Sequence, residues 1–171
     1  SVASTGTNNH YYTKNRQGLY PGYPKANTKQ LILTESIIDT ATLIAHFSFS
    51  GNQAVLSLYG TNGLTTEHIQ AIQKLENLEE IILFLDGDKA GKEAVIKHHN
   101  YLHDLFPNIG ISKVNTPENE DINSLLDGHE VSILTDLIKN RIPLSPLVPK
   151  LNTTNKEYIT YQTEHLKATL L

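Results

Sequence analysis

Apolar residues recur along the chain in two rhythms. Gln30–Thr34, Ala54–Leu58, Glu80–Leu85 and Ile109–Val114 are short and dense in apolar and branched residues. Such runs suit strands buried on both faces, as in a parallel sheet. Between them, apolar residues fall three and four apart, the period of a helix with one inward stripe. Ile37, Ala41, Ile44 and Ala45 predict the inward face of a first helix, with Ser36 and Asp39 at capping-box spacing. Thr65 predicts the cap of a second helix with Ile69, Ile72 and Leu75 inward. A third helix is expected from about Ala90 to Leu105, carrying Ala94, Val95, His98, Leu102 and Leu105 and ending before Pro107. Asp121 is placed to cap a short helical turn, and a last helix with Val131, Leu134 and Ile138 inward is stopped by Pro143. Strand and helix alternate four times. That pattern predicts an α/β domain: a four-stranded parallel sheet flanked by helices on both faces.

In such sheets sites form at the carboxyl ends of the strands. Glu35, Gly60, the pair Asp86 and Asp88, and the 115–121 loop all fall there. The run Ile81-Ile82-Leu83-Phe84-Leu85-Asp86-Gly87-Asp88 is the centre of the pattern. Residues two apart in an extended chain point the same way, and paired hard oxygens suit Mg²⁺. The plain structural reading is that Asp86 opens a turn and Asp88 caps the next helix. The loop Tyr59-Gly60-Thr61-Asn62-Gly63 can offer N–H groups to a phosphate, or serve as a tight turn. His99 and His103, four apart, can share a metal or line a solvated helix face.

The chain of 171 residues carries a net charge of −4, unevenly spread. Residues 1–30 hold Lys14, Arg16, Lys25 and Lys29 and no acid, for +4, leaving −8 on residues 31–171. A basic arm on an acidic body suits an anionic partner at the arm and a metal on the body. Tyrosines interleave with the bases from Tyr11 to Tyr23, a mixture that stacks bases and contacts phosphates, and that equally suits a segment packed on the domain edge. Cys is absent, so there is neither a disulfide framework nor a thiolate zinc site. No stretch has the length and apolarity to span a membrane, and a cytoplasmic setting is expected. Met is absent even at position 1, which suggests a fragment of a longer protein. We divide it into an arm (1–29), a core domain (30–142), and a proline-bearing linker with the start of a further module (143–171), where residues 157–163 have strand composition.

Three segments together resemble the Toprim domain, and within it bacterial DnaG-type primases of the mobile-element or phage kind. Glu35-Ser36-Ile37-Ile38-Asp39 is similar to the family's E-G-x-x-D. Tyr59-Gly60-Thr61-Asn62-Gly63-Leu64-Thr65, followed by Glu67-His68-Ile69, is similar to L-G-T-x-x-T-x-x-H-I. Asp86-Gly87-Asp88-Lys89-Ala90-Gly91-Lys92 is similar to D-G-D-x-A-G-x. Asn15–Tyr20 also resembles the chain entering the core in primases, so the arm looks like the remnant of a preceding subdomain. Ser36 departs from the usual Gly, and Asn123 replaces the second acid of a D-x-D pair begun by Asp121.

The resemblance implies a Rossmann-like Toprim fold and metal-dependent nucleotidyl transfer, making RNA primers on single-stranded DNA. Asp86, Asp88 and Asp121 would hold Mg²⁺ or Mn²⁺, with Glu35 a further ligand or the general base. Asp39 and Asn123 would stand behind them. Lys14, Arg16, Lys89, Lys92, Gly60 and Thr61 would meet phosphates. The implied partners are a single-stranded template, NTPs and a replicative helicase, with no membrane. The same acids also serve Toprim nucleases, and a non-catalytic nucleic-acid-binding module is a third reading.

Overall fold

The computed structural model describes residues 18–145. Their elements are β1 (Gln30–Thr34), α1 (Ile37–His46), β2 (Gln53–Ser57), α2 (Thr66–Gln73), β3 (Glu80–Phe84), α3 (Lys89–Leu105), β4 (Gly110–Lys113), α4 (Ile122–Gly128), α5 (Ser132–Lys139) and β5 (Ile142–Pro143). The strands lie in the order β2-β1-β3-β4-β5. The first four are parallel, and β5 runs antiparallel to β4.

From β1 the chain moves to β2 on one side, then returns past β1 to start β3 on the other. The direction of winding therefore reverses between β1 and β3, and in open α/β sheets sites form at the carboxyl ends of the strands at such a point. Right-handed crossovers place successive helices on opposite faces as the winding reverses. Leu31, Leu33, Leu56, Ile81 and Leu83 pack with Ile69 and Ile72 of α2 and Ala94 and Leu102 of α3. Ile32, Val55, Ile82 and Phe84 pack on the other face with Leu43 of α1, Leu125 of α4 and Leu134 and Ile138 of α5. Burial on both faces is why these strands read as continuous apolar runs.

The expected inward face of α1 is wrong. Its buried residues are Asp39, Thr40 and Leu43, whereas Ile37 and Ile44 are exposed and so is Ala45. The helix is apolar on more than one side, so period alone does not choose a face. Polar partners within the fold choose it: Thr40 Oγ1 meets Thr34 Oγ1 at 2.5 Å, and Asp39 is held from two helices, as described below. Val131 is also exposed, because it precedes α5 as its N-cap, and Leu105 is exposed in the last turn of α3.

The fifth strand is the element the proline reading missed. Pro143 sits within it and Leu144 donates its N–H to the Ile111 carbonyl at 2.8 Å. Proline is tolerated there because β5 is an edge strand. Side chains fasten this edge. Arg141 Nε and Nη2 donate to the two carboxylate oxygens of Glu80, each at 2.6 Å. Ser112 Oγ and Gln30 Nε2 donate to the same carboxylate at 2.8 and 2.9 Å. Burial pushes Glu80 up, but these hydrogen bonds together win and hold it below the ordinary carboxylate range. A lowered folded pKa contributes stability that is present above the unfolded value and is lost as pH falls through the folded one. Arg141→Ala should therefore cost about 1–3 kcal/mol at pH 7, and less below pH 4. Urea unfolding at the two pH values measures it, and an unchanged midpoint at pH 7 would remove the bidentate pair from the account.

The described part of the arm packs on the domain. Tyr20 offers its carbonyl to the Ser57 N–H at 3.0 Å on the open side of β2. The Gly18 N–H donates to Glu67 Oε2 at 2.8 Å, Tyr23 donates to the other oxygen of Glu67, and the Tyr59 hydroxyl donates to the Gly18 carbonyl at 3.1 Å. The arm thereby takes up the N–H at the carboxyl end of the β2 edge. Residues 1–17, with Lys14 and Arg16, and residues 146–171, with the strand-like 157–163 segment, lie outside the described residues.

Candidate active site

Glu35 follows β1 and Asp86 follows β3, so the two flank the point where the winding reverses. Two glycines bring the other acids to them. Gly87 donates its N–H to the Glu120 carbonyl at 2.8 Å. A Cβ on Gly87 would stand 1.7 Å from the Pro117 carbonyl oxygen. The turn before Asp121 thus rests directly on the D-G-D loop. A Cβ on Gly91 would stand 2.2 Å from the Asp86 carbonyl oxygen, so only glycine lets α3 start this close.

Asp88 and Asp121 each do two things. Asp88 Oδ1 accepts the Gly91 N–H at 2.7 Å and caps α3. Asp121 Oδ1 accepts the N–H groups of Asn123 and Ser124 at 2.8 and 2.7 Å and caps α4. Capping engages one oxygen of each carboxylate. The structural reading of Asp88 is therefore correct, and leaves its second oxygen uncommitted to the cap.

Glu35 and Asp86 carry the electrostatic load. Burial pushes the Glu35 carboxyl above its usual range, the Asp86 N–H opposes this, and the charges of Asp88 and Asp39 add to it. Glu35 Oε2 is buried with no hydrogen-bond partner. Asp86 is pushed up to about 7, first by burial, then by Glu35, Asp39, Asp121 and Asp88 in that order. The strongest charge on Asp86 thus comes across the sheet from Glu35, and its neighbour in the D-G-D motif acts least.

Asp39 lies behind this rim, nearly fully buried. Its Oδ2 accepts from the Ser36 N–H at 3.1 Å and the Ser36 hydroxyl at 2.5 Å, which closes the capping box. Its Oδ1 accepts from Asn123 Nδ2 at 2.8 Å, and Thr42 Oγ1 donates to Asn123 Oδ1 at 2.5 Å. Asn123 therefore ties α4 to α1. At that position a neutral amide serves where a second carboxylate would face Asp39.

Among the described residues, no three carboxylate or imidazole side chains are close enough to hold a metal ion as they stand. The donor set nevertheless suits a hard divalent cation. Glu35 keeps a buried carboxylate oxygen without a hydrogen-bond partner, and Asp86 is pushed to about 7 first by burial and then by its neighbouring acids, both of which a bound divalent cation would offset.

Residues 32–126 match the family described as Toprim-like. The chain belongs to that family. It is 34% identical over 125 residues to a DNA primase of Borreliella burgdorferi, covering 72% of this chain and 22% of that protein. The Aquifex aeolicus primase structure (zinc-binding and RNA polymerase domains) superposes with a TM-score of 0.54 at 23% identity, over 79% of this chain and 30% of that one. A DnaG primase catalytic domain bound to single-stranded DNA superposes with a TM-score of 0.50 at 18% identity, over 67% of this chain and 34% of that one. The chain spans about a fifth of the curated primase and about a third of each solved chain. It is a Toprim domain similar to the catalytic cores of DnaG-type primases.

The remaining predicted residues of this Toprim domain have mixed placements. Lys89 and Lys92 stand in the first turn of α3 with long contacts of 3.9 Å to Glu93 and Glu118, both exposed. Gly60 does not offer its N–H to a phosphate: that group donates to the Glu35 carbonyl at 2.7 Å. The Thr61 carbonyl accepts from His98 Nε2 at 3.0 Å. The 59–65 loop is thus clamped, and a second buried histidine completes the clamp. His68 Nε2 meets the Ser57 carbonyl at 2.8 Å, and its Nδ1 meets the Thr65 N–H at 3.2 Å. Burial lowers both imidazoles, His98 to about 4, so both are neutral at pH 7. The sequence marked His68 only through the T-x-x-H pattern and His98 only as an apolar-face position. His99 is buried rather than solvated, with its ring stacked on His103 at 6.0 Å. Among the described residues, no helix is long and apolar enough to cross a membrane.

Proposed function

We propose that this Toprim domain is the catalytic part of a DNA primase-type nucleotidyltransferase, which joins NTPs into RNA primers on a single-stranded DNA template. The observation that carries this reading is the pairing of Glu35 with Asp86 where the winding reverses between β1 and β3, with Asp88 and Asp121 brought to it by close backbone packing. Asp86, Asp88 and Asp121 would hold Mg²⁺ or Mn²⁺, with Glu35 Oε2 the spare donor. The bound cation supplies charge neutralisation for the phosphates and lowers the pKa of the attacking hydroxyl.

The chain's own groups do the rest. Glu35, with its raised proton affinity, accepts the proton of the 3′-hydroxyl as that oxygen attacks the α-phosphorus and pyrophosphate leaves. Lys89 and Lys92 neutralise phosphate charge at the start of α3, where the helix N-terminus favours anions. Asp39 and Asn123 position the α1–α4 junction. Lys14 and Arg16 contact the template backbone, and a replicative helicase is the expected partner of the longer protein. The single-stranded DNA in the solved primase catalytic domain of the same fold agrees with this template.

The test is incorporation of labelled NTPs on a single-stranded template with Mg²⁺ or Mn²⁺, beside a strand-cleavage assay on the same DNA. Incorporation that disappears in Glu35→Gln supports the reading. Cleavage without incorporation would make this a nuclease, and neither activity alongside retained DNA binding would make it a binding module.

A further inference from the structure

The main chain of Glu35 is held by the loop that follows β2. The Leu58 N–H donates to the Thr34 carbonyl at 2.9 Å and the Gly60 N–H to the Glu35 carbonyl at 2.7 Å. These bonds carry the pairing of β1 with β2 past the strand ends, to Glu35 itself. The loop that supplies them is not a relaxed turn. Tyr59 and Gly60 both have left-handed backbone, with φ of 58° and 102°. A Cβ on Gly63 would stand 1.2 Å from the Leu58 carbonyl oxygen, so the loop folds back on its own start. Such a conformation persists only where its surroundings over-determine it.

Two helices grip this loop. The grip from α2 is His68, and both its ring nitrogens are used locally, on the Ser57 carbonyl and on the Thr65 cap. The grip from α3 comes from two neighbours. Lys97 Nζ donates to Asn62 Oδ1 at 2.7 Å on the exposed side, and His98 Nε2 meets the Thr61 carbonyl at 3.0 Å on the buried side. A carbonyl only accepts, so Nε2 carries the proton of the neutral ring. His98 is 2% exposed and stands on the inward face of α3. The plain account is a core histidine that satisfies one loop carbonyl. The other end of α3 adds to it. That helix is capped by Asp88, two residues after Asp86, and His98 lies about ten residues or 15 Å along it. One rigid element therefore carries two acids of the rim at its start and holds the loop behind the third farther along. We propose that His98 is a positioning residue, which through Thr61 and Gly60 fixes the place of Glu35 relative to Asp86 and Asp88. It touches neither substrate nor metal. Its effect on turnover rests on the nucleotidyl-transfer reading; its effect on the Gly60 bond does not.

The test compares two amides at position 98. Glutamine can place its Nε2 donor where the imidazole Nε2 stands, whereas asparagine is one methylene shorter and leaves the Thr61 carbonyl unbonded. Arg141→Ala is the control, because it loosens the sheet edge at the amino end of β3 and leaves the loop alone. Three quantities are read well below the melting temperature of each variant: hydrogen exchange of the Gly60 amide, the Mg²⁺ dissociation constant by calorimetric titration, and kcat and KM for labelled NTP incorporation. His98→Asn should speed Gly60 exchange roughly tenfold and weaken Mg²⁺ several-fold. It should lower kcat by about tenfold to a hundredfold with KM within about twofold of the parent. His98→Gln should bring all three back near the parent, and Arg141→Ala should move none of them although it melts earlier. Unchanged Gly60 exchange in His98→Asn overturns the proposal. So does faster exchange with Mg²⁺ affinity and kcat unchanged, which leaves His98 a core residue only. Losses that glutamine does not restore, or that Arg141→Ala reproduces, overturn it too, as does a parent that binds no Mg²⁺. If the parent incorporates no NTP while exchange and Mg²⁺ affinity still separate asparagine from glutamine, the positioning role stands and the nucleotidyl-transfer reading falls.

Discussion

Asp86→Asn is expected to make the metal-free protein more stable at pH 8, although it removes a residue from the proposed site. Asp86 has its carboxyl raised to about 7 by burial and by four neighbouring acids. A raised folded pKa contributes stability that is fully present below the unfolded value near 4 and is lost as pH rises through 7. At pH 8 the group is ionised against Glu35, and the fold carries the whole cost. A shift of this size corresponds to about 4 kcal/mol at 1.36 kcal/mol per unit, and side-chain rearrangement and water in a half-buried site reduce it to about 1–3 kcal/mol. Asparagine keeps the shape and removes the charge. The melting temperature without divalent cation should rise by roughly 3–10 °C at pH 8 and be almost unchanged at pH 4. Millimolar Mg²⁺ should raise the melting temperature of the parent at pH 8 by mass action, and should do nothing for Asp86→Asn with Asp88→Asn. Thermal melts with EDTA and with Mg²⁺ at both pH values are sufficient. A variant that melts at or below the parent at pH 8 would show that the acids on this rim do not oppose one another.

The parallel sheet was legible because its strands are buried on both faces and bounded by turn residues. The reversal of winding that joins Glu35 to Asp86 was not, since strand order is decided by which edge each crossover reaches. The caps Ser36, Thr65, Asp88 and Asp121 were readable from local spacing, and Asp88 and Asp121 show that a cap and a spare carboxylate oxygen coexist in one side chain. The face of α1 was not readable, because Asp39 and Thr40 are buried for partners on other elements. For the same reason β5 was missed. Two residues with a proline carry no strand pattern, and what fastens them is an ion pair to Glu80, 61 positions earlier in the chain.

Position 123 allows the sharpest test of how the site departs from the family's D-x-D pattern. If its side chain faced the rim, Asn123→Asp would restore a ligand, tighten Mg²⁺ and be stabilised by it. The geometry predicts the reverse. Asn123 Nδ2 donates to Asp39 Oδ1 at 2.8 Å, and Asp39 is only 3% exposed. A carboxylate there would lose the donor and set two charges against each other in a site where Asp39 is already raised, first by burial and also by Asp121. Asn123→Asp should cost roughly 2–4 kcal/mol at pH 8, with millimolar Mg²⁺ giving no preferential rescue. The pair would share a proton at lower pH, so its folded pKa would be raised and the penalty should shrink below about pH 5. Asn123→Ala removes the tie without adding charge and should cost about 1–2 kcal/mol at either pH. Exchanging the two groups, Asp39→Asn with Asn123→Asp, puts an amide opposite a carboxylate again, and its carbonyl can still accept from Ser36. That double variant should recover much of the loss, and the cycle of single and double variants isolates the coupling. Equal stability of Asn123→Asp and the parent at pH 8 would mean that the amide does not hold Asp39. Preferential stabilisation of Asn123→Asp by Mg²⁺ would turn the residue toward the metal after all.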